Sequence, residues 1–182
     1  MDRLTDLGTL PETAVKIAQK RGFSKIALNY QSGNHQFEKE LEAIIVSAYL
    51  SSKKFSLKSK HATNAELTLI LTLQNADQMG LAEEHVNTAL AIAKGCEWAR
   101  ELVLLPPNLK KPQHLAQQIF ERFSALPDFS ETLFPRSSLE AVGAGGILGV
   151  GGAGEPVLVK LAYTGPQTEG KERQRIAIVG KV

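Results

Sequence analysis

Sulfur, charge surplus and long apolar runs are all scarce in this chain of 182 residues. A single cysteine, Cys96, excludes an intrachain disulfide framework and fits a reducing compartment, with helix packing as the expected role for the thiol. Lysine and arginine number 21 against 19 acidic residues, so the formal charge of +2 gives no reason to invoke nucleic acid or an anionic membrane. Nowhere do eighteen apolar residues run together, and the opening Met1-Asp2-Arg3-Leu4-Thr5-Asp6 lacks the apolar core of a signal peptide. A cytoplasmic protein with no membrane partner is the expectation. The histidines are also dispersed: His35, His61, His85 and His114 never pair at helical spacing, which disfavours a histidine zinc site. His85 reads as a core or interface residue and His114 as solvent-facing. No Gly-x-Ser-x-Gly and no second cysteine exist to support serine or thiol hydrolysis. Glu83 and Glu84 read as a solvated pair.

What remains is ordinary globular composition, 43% hydrophobic and 22% charged, in an alternating pattern of helices and strands. Thr9 as cap, Pro11 as start and Gly22 as stop frame a first helix carrying Ala14, Val15, Ile17 and Ala18 on one face. A strand follows over residues 24–30, then a helix over 34–50 whose Phe37, Leu41, Ile44, Ile45, Ala48 and Tyr49 share a face. Lys53, Lys54, Lys58 and Lys60 read as a solvated loop before a strand at 66–73. Asp77 is placed to cap an unusually long helix reaching Leu104, where Pro106-Pro107 ends it. A second unit starts there: a helix from Pro112, a strand at 132–134, a short helix capped by Ser137 or Ser138, a glycine-rich run, and a strand at 157–163.

Two stretches invite a functional reading. Gly149-Val150-Gly151-Gly152-Ala153-Gly154 matches the dinucleotide fingerprint, but that motif needs a helix directly after it, and here Glu155-Pro156 leads into a strand. Tight turns and close backbone packing are the better account. At the far end, Ile176-Ala177-Ile178-Val179 reads as a strand buried on both faces, with Gly180 turning the backbone and Lys181 set at its carboxyl end, the edge where open α/β sheets place ligand chemistry.

Three segments in order carry a resemblance: Ala99-Arg100-Glu101-Leu102 running into Pro106-Pro107-Asn108 and Pro112; Gly143 to Gly152 followed by Glu155-Pro156; and Ile178-Val179-Gly180-Lys181. Together they are similar to the leucyl aminopeptidase family, the dinuclear metallo-aminopeptidases of the cytosol. The resemblance implies an α/β fold in three parts: a partial macro-like N-terminal α/β domain (residues 1–76), a long linking helix (77–104) and the N-terminal part of the catalytic domain (105–182). It implies that Lys181 is a metal ligand in contact with substrate, no other catalytic residue being assigned. An amine normally protonated up to about pH 10.4 must then bind as the neutral base, which nearby divalent cations enforce by repelling the proton. The implied cofactors are two divalent ions, zinc, manganese or magnesium, holding a water. The implied partners are peptide substrates and further copies of the chain, a hexamer in the family. Where the family continues Gly-Lys-Gly, this chain reads Gly180-Lys181-Val182. Leu104 and Leu105 replace Asn-Thr, and Lys110-Lys111 replace Leu-Thr. The remaining ligands lie downstream in the family's order, so the expectation is a leading portion that is inactive alone. Alternatives are a non-catalytic macro-like nucleotide-binding module, for which 1–74 offers no phosphate loop, or a structural subunit of an aminopeptidase oligomer.

Overall fold

A computed structural model of the chain describes residues 3–29, 37–53, 66–73, 76–152, 154–165 and 175–180. They fall into two compact units, divided between Leu105 and Pro106.

In the first unit, helix α1 (Arg3–Arg21) leads to strand β1 (Lys25–Asn29), helix α2 (Phe37–Ser52), strand β2 (Thr68–Thr72) and, after a 3-10 turn at Ala76–Gln78, helix α3 (Met79–Leu104). The two strands pair in parallel, Ile26 opposite Leu69 and Leu28 opposite Leu71, with α2 as the crossover a parallel pair requires. Alternation along both strands half-buries Ile26, Leu28, Leu69 and Leu71 and leaves Ala27 and Ile70 exposed. The core lies on α2, whose Phe37, Leu41, Ile44 and Ile45 meet Leu28 and Leu71 on the sheet and Ala82 and Ala89 on α3. Small residues at 82, 89 and 93 on α3 are all buried, allowing the two helix backbones to approach closely.

The second unit runs α4 (Pro112–Phe123), β3 (Phe129–Phe134), α5 (Arg136–Ala141), α6 (Gly145–Gly151) and β4 (Leu158–Tyr163). Its strands pair antiparallel, Phe129 opposite Tyr163 and Leu133 opposite Val159. Phe123, Phe129 and Tyr163 stack with ring centroids 5.0 Å apart in both pairs, tying α4 to the sheet. Leu139 of α5 is buried as well.

The order of elements follows the sequence reading, with six corrections. Pro11 lies inside α1 and does not start it. An interior proline removes a helical hydrogen bond and crowds the preceding turn, so residue type favoured a start, yet α1 continues through Pro11, which is buried. Ile17, expected on the packed face, is 49% exposed, whereas Val15 and Ala18 are buried. Asp77 sits in the 3-10 turn, and the helix begins after Gln78 without a side-chain cap. Ser137 and Ser138 lie within α5, whose start is set by Pro135 in extended conformation. The glycine run forms a helix over Gly145–Gly151, against glycine's poor helix propensity. The readable signal was Ala144, Ile147 and Leu148 at helical spacing, with Ala144 and Leu148 half-buried.

The last correction bears on function. Ile176–Val179 is not a strand, and Ile176, Ile178 and Val179 are 85%, 95% and 92% exposed. A strand exists through its neighbours' hydrogen bonds, and β-branched residues mark fitness for a sheet interior without supplying the strand to pair with. Among the described residues, none pairs with this segment.

Candidate functional site

Lys181, the residue in which the sequence reading placed the chemistry, lies outside the described residues, one position beyond Gly180. The other predicted landmark, the glycine run, is well defined. Helix α6 ends where Gly152 takes φ of 53°, a left-handed conformation that glycine adopts without strain. Arg136, at the start of α5, donates from one guanidinium nitrogen to the carbonyls of Gly152 and Gly154, both at 2.7 Å. Gln113 on α4 donates to the Glu155 carbonyl at 2.8 Å, and Pro156 is buried against Gly151, where an added Cβ would lie 2.6 Å from the proline Cβ. β4 follows directly. The loop is thus held as a turn by side chains reaching its carbonyls, and its amides are not presented at the mouth of a following helix as a pyrophosphate cradle requires. Sequence reasoning missed Arg136 and Gln113, because nothing local marks an arginine for carbonyls sixteen and eighteen residues away.

Polar contacts in the first unit cluster where α2 meets α3. The Tyr49 hydroxyl donates to Glu97 at 2.6 Å, while the Lys53 ammonium pairs with the same carboxylate at 3.3 Å and stands 4.7 Å from the Tyr49 ring centroid. The bond to Glu97, with partial burial, raises the Tyr49 phenol above its ordinary value. Burial pulls the Lys53 ammonium down, but Glu97 and Tyr49 together outweigh it and the net shift is upward. Lys53, read as part of a solvated loop, is therefore engaged; Lys54, Lys58 and Lys60 lie outside the described residues. Further along, His85 meets Glu42 at 2.7 Å, and that hydrogen bond raises the imidazole above its ordinary value despite some desolvation. His85 is half-buried between helices and His114 is exposed, as expected. Cys96 is exposed rather than packed. Glu83 and Glu84 face solvent.

These contacts do not compose a metal centre. Among the described residues, no three or more histidine, cysteine, aspartate or glutamate side chains are grouped to hold a metal ion. One lysine amine cannot by itself complete a two-cation centre, since divalent ions of this kind take several ligands, and among the described residues no such group stands for it to join. No helix of the described residues is long and apolar enough to cross a membrane.

Residues 97–182 match the cytosol aminopeptidase family, catalytic domain. The chain is 34% identical to a probable cytosol aminopeptidase of Nitrosococcus oceani over 135 residues, 73% of this chain and 25% of that protein. With a probable cytosol aminopeptidase of Stenotrophomonas maltophilia it shares 32% over 143 residues, 77% of this chain and 27% of the relative. A tomato leucine aminopeptidase mutant superposes with a TM-score of 0.73 at 21% identity, covering 91% of this chain and 34% of that one. The bottromycin maturation enzyme BotP, in complex with manganese, gives 0.67 at 19% identity over 88% and 34%. At such identities the structural likeness concerns the fold. The chain spans about a quarter of the length of the curated relatives it matches.

Proposed function

We propose, from the premise that this chain belongs to the cytosol aminopeptidase family, that it is the leading portion of a metal-dependent enzyme removing N-terminal amino acids from peptides. The observation that carries the reading is the family match over residues 97–182, which takes in both the glycine run and Lys181. On this reading Lys181 is a metal ligand close to bound substrate. The cofactors are two divalent ions, zinc, manganese or magnesium; the manganese of the structurally similar BotP supports the class. Residues 1–76 are a partial macro-like domain, a reading supported by the parallel β1–α2–β2 unit, with 77–104 as the linking helix and 105–182 as catalytic-domain sequence. The compartment is cytoplasmic and the assembly a homo-oligomer, a hexamer.

The 182 residues by themselves are inactive on this reading. Lys181 is one donor, and no other residue is assigned as a ligand to the two cations. The test is hydrolysis of leucine amide with added manganese by the purified chain. No turnover above the buffer rate is expected, and turnover in proportion to protein concentration overturns the claim of inactivity. The role of Lys181 is checked separately in a longer protein containing this sequence: Lys181→Met abolishes manganese-dependent cleavage, and a fully active variant refutes the assignment.

A further inference from the structure

Helices α1 and α2 and the last turns of α3 line an open cleft of about 580 Å³ in the first unit, within the range of small-molecule sites. Its walls carry three cations, Lys16, Lys53 and Arg100, against one carboxylate, Glu12. Two of the cations are already held. Lys16 is bonded to Glu12 one helical turn before it, and Lys53 is fixed against the wall by Glu97 and the Tyr49 ring. Arg100 differs: among the described residues it enters no ion pair, although its charge helps hold Glu12 ionised. Between the cations, α2 presents Val46 and Leu50, with the Ser51 hydroxyl beside them.

A guanidinium with no ion pair among the described residues offers a planar fork of donors matched to two oxygens of an oxyanion. Lys16 and Lys53 each keep N–H donors beyond the one given to their carboxylate, and together with a hydroxyl these suit the larger charge and three terminal oxygens of a phosphate monoester better than the single charge and two oxygens of a carboxylate. The apolar side chains beside them suit an ester group and would be left bare by inorganic phosphate. We propose that this cleft binds a small phosphate monoester, Arg100 gripping the phosphate and the Val46 and Leu50 side of α2 holding the ester group.

The test is titration of the intact 182-residue chain with phenyl phosphate at low ionic strength, followed by calorimetry and by amide shifts. Inorganic phosphate and benzoate serve as comparison ligands. Saturable one-to-one binding is expected, tighter for phenyl phosphate than for either comparison. It should weaken about ten-fold or more in Arg100→Gln and stay unchanged in Lys160→Gln, an exposed cation of the second unit. Absence of saturation, equal affinity for benzoate, or undiminished binding by a folded Arg100→Gln overturns the proposal. Should that variant fail to fold, the amide shifts of the unaltered chain decide: changes confined to α1, α2 and the end of α3 support the site, and changes elsewhere refute it. Nothing in this titration depends on peptidase activity.

Discussion

His85 and Glu42 join α2 to α3 through one hydrogen bond, and its effect on stability has a definite sign with pH. The folded imidazole titrates above the ordinary 6.5 because protonation strengthens its bond to Glu42. The contribution is therefore fully present below pH 6.5 and lost as pH rises through the higher folded value. Glu38 and Glu84 act in the same direction. Replacing Glu42 with glutamine should bring the His85 titration, followed by imidazole proton shifts, down toward 6.5. It should cost more stability in urea unfolding at pH 6 than at pH 9, and an equal cost at both would refute the linkage. Gly151 makes a second prediction at this scale. Gly151→Ala forces a Cβ into Pro156, an overpacking worth about 1–3 kcal/mol, seen as a lowered Tm. An unchanged Tm would mean that the loop yields easily.

Helix ends and helix faces differ in how openly the sequence displays them. Gly22 stops α1 with φ of 74°, Phe23 donating to Ala18 and Gly22 to Gln19, the paired closing bonds of a Schellman motif. Alanine there should cost about 1 kcal/mol, read as a shift in urea midpoint at unchanged slope. On α2, Leu41 is 1% exposed at the centre of the core, and Leu41→Ala should cost about 2–5 kcal/mol in the same experiment. Both features were legible, because a stop glycine and a helical apolar stripe are local signals. The α6 helix and the buried position of Pro11 within α1 were not, since each runs against the intrinsic preference of its residues and is decided by what packs around it.

At the scale of the molecule, the most exposed large apolar side chains among the described residues lie together near residue 178. Ile176, Ile178 and Val179 stand almost fully in solvent, in a segment whose residue types suit a sheet interior. Exposed β-forming residues favour association with other copies. The chain should therefore self-associate with rising concentration in sedimentation velocity, and Ile178→Lys should shift it toward monomer. A wild-type chain that stays monomeric at high concentration would remove the expectation. The division between the two units falls between Leu105 and Pro106, where the proline pair marked a helix end on residue type alone.

By itself the sequence determined the order of helices and strands, the apolar stripe of α2, the stop at Gly22, and the ordered segments from Ala99 to Lys181 that carry the family likeness, because these depend on residues near one another along the chain. Tertiary structure alone decided that Arg136 closes the glycine turn, that Lys53 and Tyr49 share Glu97, and that, among the described residues, Arg100 is left without an ion pair and Ile176–Val179 without a strand beside it. Each of these depends on groups far apart in sequence. Whether they meet is settled by packing and hydrogen-bond geometry in three dimensions, which no local pattern encodes.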